Sequence, residues 1–308
     1  MNTLKPVSEI IAFRTSRRTY QTEPLSEEIR ENLEHLINAV SKGPLGTPIT
    51  FSLINVAEVS YQKLKLGTYG FIQGARYFIA GQIKPSPIAF LDYGFTLEKL
   101  ILDITEMGLG TCWLGGTFSR SEFAKTIDLQ EGNVIPAITP VGFATKTRGL
   151  GEKIIRLGAG SKNRLPPDQL FFELTTSAPE SKMADPIIQK ILESVRLAPS
   201  ASNNQPWRIV IENNEFRFYI SRKPGYQKAF SGIDLQMVDM GIAMAHFDLT
   251  ARECHQVPEW KVFEGVGRFG ECEYVISVFL GEEREEGEER EEREEGEGRE
   301  EGEGGMNN

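Results

Sequence analysis

Five residues of this chain recur at one spacing. Asp92, Gly94, Leu102, Glu106 and Trp113 are matched by Asp239, Gly241, Leu249, Glu253 and Trp260, each pair 147 positions apart. A second match, Arg76-Tyr77-Phe78-Ile79 with Arg217-Phe218-Tyr219-Ile220, falls between strand-like segments. A shared offset together with a shared order of elements points to duplication, and the period is far too long for a solenoid. Two copies in one chain predict a fused pseudo-dimer, with any ligand site between the copies. The expected division is a first half over 1–165, a second over 166–281 and a tail over 282–308.

The periodicities fill in both halves. In the first, helices are predicted at Leu4–Phe13, Ser26–Val40, Asp92–Met107 and Ser119–Ile127, with strands at Phe51–Val56, Arg76–Ile83 and Val134–Phe143. Ser26 followed by Glu27 and Glu28 is a helix start. In the second, helices are predicted at Asp185–Leu197 and Leu235–Glu253, with strands at Trp207–Ile211, Phe216–Ile220 and Cys272–Gly281. Gly158–Pro167 reads as the link. The expected fold class is α+β, sandwich-like, each half an antiparallel-type sheet flanked by helices.

Charge narrows the function. The formal net charge is −10, but segment 282–308 alone holds 14 Glu and 4 Arg. Of 34 basic and 44 acidic residues this leaves the body 30 of each, hence neutral. A neutral body gives no support to nucleic-acid binding. The tail, without an apolar residue before Met306, is expected to be disordered and to serve solubility or a partner. No apolar run reaches the roughly 18 residues of a membrane span, and no signal peptide is read at the start. Three cysteines without CxxC spacing fit a reducing, cytoplasmic setting and no disulfide framework. With three histidines and no HExxH, metal catalysis is not expected.

Three stretches could carry chemistry. Arg14-Thr15-Ser16-Arg17-Arg18-Thr19-Tyr20 interleaves guanidinium groups with hydroxyls, which suits a phosphate as well as a solvated basic turn. Gly108-Leu109-Gly110-Thr111-Cys112-Trp113-Leu114-Gly115-Gly116 has four glycines that allow close backbone approach to a ligand; a helix C-cap explains Gly108 but not the Gly115-Gly116 pair. Leu197–Trp207 packs Pro199, Ser200, Ala201, Ser202, Asn203, Asn204, Gln205 and Pro206 between a helix and a strand. The two prolines predict extended backbone there. It reads as a ligand loop or as a well-made turn.

Together, in this order, the stretches resemble the FMN-dependent nitroreductase family, and most of all a branch with two half-size copies in one polypeptide. Family members open with an Arg-Arg-Ser-x-Arg-x-Phe pattern, in which Thr15 here takes the place of a basic residue. They carry a Pro-Ser-x-x-Asn-x-Gln-Pro-Trp loop, matched by Pro199–Trp207 with one extra residue, and a glycine segment like 108–116. The resemblance spans roughly residues 8–281. It implies that Arg14, Thr15, Ser16 and Arg18 hold the FMN phosphate and ribityl chain, with Lys146 and Arg148 on the same phosphate. It implies that Pro199, Ser200, Ala201 and Asn203 reach the flavin from the other copy. It also implies that Leu114, Gly115 and Gly116 present backbone N–H groups near the reactive edge. No catalytic acid or base and no metal ligand is implied.

The implied activity is that of an NAD(P)H oxidoreductase: ping-pong hydride transfer from NAD(P)H, as co-substrate, through FMN to a small-molecule acceptor such as a nitro compound or quinone. A flavin-binding sensor or store without turnover is the alternative. A non-binding scaffold and oxidative chemistry on the flavin itself are weaker rivals. The first copy has the Arg/Ser opening and the glycine run, but Gly43–Pro48 where the second copy has its Pro-Ser-Ala loop. The second has that loop, but His255-Gln256-Val257-Pro258 for the glycine run. One FMN per chain follows, with no nucleic-acid or membrane partner, in a monomer or weak homo-oligomer.

Overall fold

In a computed structural model the described residues are 5–56, 71–145, 163–174, 181–224 and 232–282. Lys146, Arg148, the first half of the predicted link and almost all of the acidic tail lie outside them. The elements in chain order are α1 (Val7–Phe13), α2 (Glu27–Asn38), β1 (Thr50–Asn55), β2 (Tyr77–Gln82), α3 (Pro87–Glu106), β3 (Gly110–Thr111), α4 (Arg120–Thr126) and β4 (Ile138–Gly142). There follow β5 (Phe171–Glu173), α5 (Pro186–Leu197), β6 (Trp207–Glu212), β7 (Glu215–Ile220), α6 (Leu235–Glu253), β8 (Gln256–Lys261) and β9 (Glu273–Glu282).

One sheet has the order β1-β2-β4-β3, the other β5-β6-β7-β9-β8. With β5 set aside, the two orders are the same, and every pairing within them is antiparallel. The extra strand, β5, adds in parallel to β6. It is too short for a sequence signal. β8 was also missed, because Pro258 in its middle argues against a strand; the proline is tolerated since β8 is the edge of its sheet.

The sheets are joined by α3 and α6, both buried almost all round. Helices apolar on every face belong inside a core. α3 starts five residues before its predicted start: Ser86 Oγ accepts from Ala89 N–H (3.1 Å) and Pro87 sits in the first turn, a start signal of the usual kind. The two helices touch at Gly94 and Gly241. A Cβ on Gly94 would lie 2.1 Å from Val238 O, and one on Gly241 2.0 Å from Leu91 O. Leu91 and Val238 are themselves 147 residues apart, so the contact is reciprocal, as at a two-fold interface.

One core cluster runs across both halves, from Leu33, Phe51 and Ile79 through Leu91 and Leu97 to Trp207, Phe218 and Phe247. A smaller one, with Phe78, Phe118, Phe123 and Ile138, fills the other face of the first sheet beneath α4. β2 is therefore buried on both faces and shows no polar alternation. α1 buries Ile10 and Ile11, but Phe13, expected on the same apolar face, is 71 % exposed. Among the described residues no helix is long and apolar enough to cross a membrane, and no group of His, Cys, Asp and Glu is placed to hold a metal.

Candidate functional site

A cavity of about 220 Å³ opens where the N-terminal segment, the glycine segment, the 199–203 loop and α6 meet. One water needs only about 10–15 Å³ of such space, so this is no packing defect. Four sources bring side chains to it, and each is held by identifiable bonds.

The segment after α1 lies along the edge of the first sheet. Arg17 N–H donates to Thr111 O (2.8 Å), Tyr20 N–H to Gln73 O (2.9 Å) and Gln21 N–H to Phe143 O (2.8 Å). Pinned this way, Arg14, Thr15, Ser16 and Arg18 all line the cavity. Arg17 does not: its Cβ and Cγ pack on Gly110. Arg14 is 9 % exposed. Its Nε lies 3.7 Å from Glu98 Oε1, too far for a hydrogen bond. Arg14 Nε and Nη1 and Arg18 Nη1 are buried without a hydrogen-bond partner among the described residues. Buried guanidinium N–H groups need acceptors, and these three have none among the described residues.

Glu98, fully buried on α3, holds this wall from behind. Trp113 Nε1–H donates to Glu98 Oε2 (2.5 Å) and His246 Nε2 lies 2.9 Å from Oε1. His246 Nδ1 is 2.8 Å from Ser194 O. A carbonyl only accepts, so Nδ1 carries the hydrogen.

Of the glycine segment, Gly115 and the flanking Trp113 line the cavity. Arg120 fixes Gly115 by donating to its carbonyl and, through Nη2, to Pro136 O (3.0 Å). Leu114 departs from the expected role: its N–H donates to Ile138 O (2.9 Å) and its side chain is buried in the small core cluster. The amide is committed to the sheet and cannot face a ligand. Gly116 is exposed and outside the cavity lining.

The loop around 199–203 is extended at Ala198 and Ser200, as Pro199 predicted, but tightly coiled from Ala201 onward. Ser202, Asn203 and Gln205 all have positive φ, at 53°, 55° and 47°. Left-handed backbone in non-glycine residues costs energy and persists only when neighbours hold it. They do: Gln205 N–H donates to Ser200 Oγ (2.8 Å), Leu165 N–H to Gln205 Oε1 (2.8 Å) and Asn203 Nδ2–H to Asn163 O (2.7 Å). The amide side chains seen in the sequence as ligand donors thus brace the loop against residues 163–165. Pro199, Ser200, Ala201 and Asn203 still line the cavity.

Two charged lining residues were not singled out as ligands in the sequence. Arg164 donates to Asn203 Oδ1 and, through Nη2, to Leu197 O (2.9 Å). Burial, then Arg14 and Arg196, push it down to about 10. Its only signal was a lone arginine in the proline-rich link. Asp239 on α6 is 3 % exposed. Its Oδ1 accepts from Ala201 N–H (2.9 Å). Burial holds this carboxyl well above the usual carboxylate range, against the Ala201 hydrogen bond and with Asp234 adding repulsion. Leu235, Val238 and Ile242 complete an apolar wall beside it.

The site therefore offers guanidinium donors to an anion at one place and an apolar wall with a few polar groups at another. That is the lining an amphiphilic ligand requires. Lys146 and Arg148 lie outside the described residues.

Similarities to other proteins agree with this fold. No curated protein sequence matches the chain. A solved structure from Thermotoga maritima, described as a "putative nitroreductase", has 22% sequence identity, with 91% of this chain and 96% of that one covered at a TM-score of 0.58. A nitroreductase family protein of Clostridium difficile is 18% identical, covering 58% of this chain and 99% of its own, at a TM-score of 0.40. A nitroreductase with bound FMN from Desulfitobacterium hafniense is 19% identical and covers 47% of this chain and 93% of its own, at a TM-score of 0.37. The first of these shows a shared fold across nearly the whole chain. The family model described as "Putative TM nitroreductase" matches residues 6–251, the span that holds every described wall of the cavity, and the chain belongs to that nitroreductase family.

Proposed function

We propose that this protein is an FMN-dependent NAD(P)H oxidoreductase that binds one FMN per chain between two fused, similar halves, with a small-molecule electron acceptor as second substrate. The observation that carries the reading is the set of buried arginine N–H groups without acceptors, on Arg14 and Arg18, opposite the braced 199–203 loop. Membership of the nitroreductase family supports the redox class.

The residues fit the cofactor. Arg14 and Arg18 would hold the phosphate, with Thr15 and Ser16 adding short hydroxyl bonds. Arg164 adds positive charge to the same cavity. Pro199, Ser200 and Ala201, with Val238 and Ile242, would line the ring. Gly115 makes room for Leu235 on the apolar wall, since a Cβ there would press on the Leu235 side chain at 3.0 Å. FMN supplies the two-electron chemistry between NAD(P)H and a nitro compound or quinone. The protein's part is to bind and orient the cofactor and to place positive charge where negative charge builds up.

The two halves are read as copies because both sheets share one strand order, and because α3 and α6 meet through residues at a single offset. The domain division 1–165 and 166–281 rests on the same argument. The test is a visible absorption spectrum of the purified protein, with FMN added, before and after anaerobic NADH or NADPH. Flavin bands that bleach support the reductase. Bands that persist support a flavin store without turnover. A protein that takes up no FMN overturns the reading.

A further inference from the structure

The two halves differ at one matched position in a way the duplication does not require. Asp92 and Asp239 occupy equivalent places on α3 and α6, each facing the loop of its own half. Asp92 is saturated: Oδ1 accepts from Leu45 N–H and Oδ2 from Thr47 N–H, both at 2.8 Å. Asp239 accepts only from Ala201 N–H, at Oδ1. Asn203, two residues beyond Ala201 as Thr47 is two beyond Leu45, gives its N–H to Ser200 O instead (3.0 Å). That diversion comes with the left-handed turn at Ser202 and Asn203, which the first loop lacks among its non-glycine residues. The outcome is a buried oxygen, Asp239 Oδ2, with no hydrogen-bond partner among the described residues on a side chain that lines the cavity.

No ion pair reaches Asp239 among the described residues. Of the cavity's cations, Arg164 donates to Asn203 and Leu197, Arg14 lies 3.7 Å from Glu98, and neither these nor Arg18 forms an ion pair with Asp239. A carboxylate held this dry without a cation beside it takes up a proton. A neutral carboxyl is a donor as well as an acceptor, and with Oδ1 committed to Ala201 the O–H belongs to Oδ2, on a residue that lines the cavity.

Resting on the flavin reading, we propose that Asp239 is a protonated acid whose O–H donates a hydrogen bond to an acceptor atom on the FMN ring and so tunes the reduction potential of the bound flavin. A neutral donor favours the ring more as it gains negative charge, without the repulsion a carboxylate would bring. The apolar Leu235, Val238 and Ile242 around it keep the bond in a low-dielectric setting, where it is strongest. The first half cannot do the same, since Asp92 has no oxygen to offer.

The experiment titrates FMN into flavin-stripped wild type, D239N and D239A, reading the Kd from flavin fluorescence and the midpoint potential against reference dyes. Asparagine keeps an oxygen for Ala201 N–H and presents a neutral N–H donor to the cavity. D239N is therefore expected to keep the Kd within about threefold and the potential unchanged. D239A removes the donor and should cut the preference for reduced over oxidised flavin about tenfold, equivalent to lowering a two-electron potential by about 30 mV. A D239N potential that rises marks the loss of a negative charge, so Asp239 was ionised and the proposal fails. A D239A potential equal to wild type also overturns it. If D239A does not fold, the D239N potential decides. Wild type that binds no FMN overturns the flavin reading itself, and this proposal with it; flavin uptake with an unresponsive potential overturns the proposal alone.

Discussion

At the scale of single residues the site is a set of buried groups whose partners decide their chemistry. Arg18 Nη1 has no acceptor among the described residues, so the bond it makes to a bound anion is a charged one, worth roughly 1.5–3 kcal/mol. R18A is expected to weaken FMN about 10- to 100-fold and to affect riboflavin, which lacks the phosphate, far less; paired fluorescence titrations check both. Glu98 has the opposite problem. It receives Trp113 Nε1–H and His246 Nε2 in a dry core, with Arg14 Nε 3.7 Å away, and truncation strands the first two atoms and removes the charge facing the third. E98A should lower stability by about 3–5 kcal/mol, read from urea unfolding of the flavin-free protein. Asp239 makes a pH prediction. Its folded pKa is raised, so the stability it contributes is full below the unfolded value near 3.9 and is lost as pH rises through the folded one. Asp234, the N-cap of the same helix, adds repulsion, and Arg14, Arg18 and Arg164 share the cavity. Wild type should gain on D239N as pH is lowered from 8 to 5, and equal unfolding free-energy differences at the two pH values would contradict this. Residues such as Arg14, Ser16 and Pro199 were legible in the sequence because polar side chains clustered between periodic segments have few other uses. Leu114 was misread because whether an amide is free depends on a partner strand, here Ile138, that spacing does not reveal. Asp239 was visible as a repeat position, but its unmatched oxygen follows from a backbone turn at Ser202 that no residue type announces.

At the scale of elements, helix and strand identity followed periodicity closely where burial was one-sided, as in α2 and α5. It was least complete where burial is total. α3 carries so many buried residues that its start was set by Ser86 and Pro87 rather than by pattern. The crossing of α3 and α6 gives a sharp prediction. A methyl on Gly241 would meet Leu91 O at 2.0 Å and Phe95 N at 2.8 Å. Both are backbone atoms of a helix and cannot swing away. G241A should cost about 3 kcal/mol, the upper end for overpacking, and open the cavity's apolar wall, because Val238, Asp239 and Ile242 belong to the same helix. Calorimetry measures the first effect, FMN affinity the second. A G241A protein as stable as wild type would mean the helices can separate at no cost.

At the scale of the whole molecule the argument concerns number. A two-fold arrangement of identical halves would carry two equivalent cavities, one on each side of the α3–α6 crossing. On the proposed reading of two copies, the halves have diverged, and the ingredients are unevenly shared. The Arg14–Arg18 segment and Gly115 come from the first half, and Pro199–Asn203 and Asp239 from the second. The place where a second cavity would stand has Gly43–Pro48 bonded down onto Asp92, with both carboxylate oxygens and both loop N–H groups satisfied. Across from it, the counterpart of the glycine run is β8, whose edge residues are paired into the sheet with β9. A second phosphate would find no matching set of arginine donors there, since the second half lacks an Arg-rich opening before Asp185. We therefore expect a stoichiometry of one FMN per polypeptide, measured by flavin absorbance against protein mass in the saturated complex. R14A combined with R18A should abolish that single site and leave none behind. A ratio near two, or a residual tight site in the double variant, would show that the second half retains a binding surface of its own and that the division of labour between the halves is incomplete.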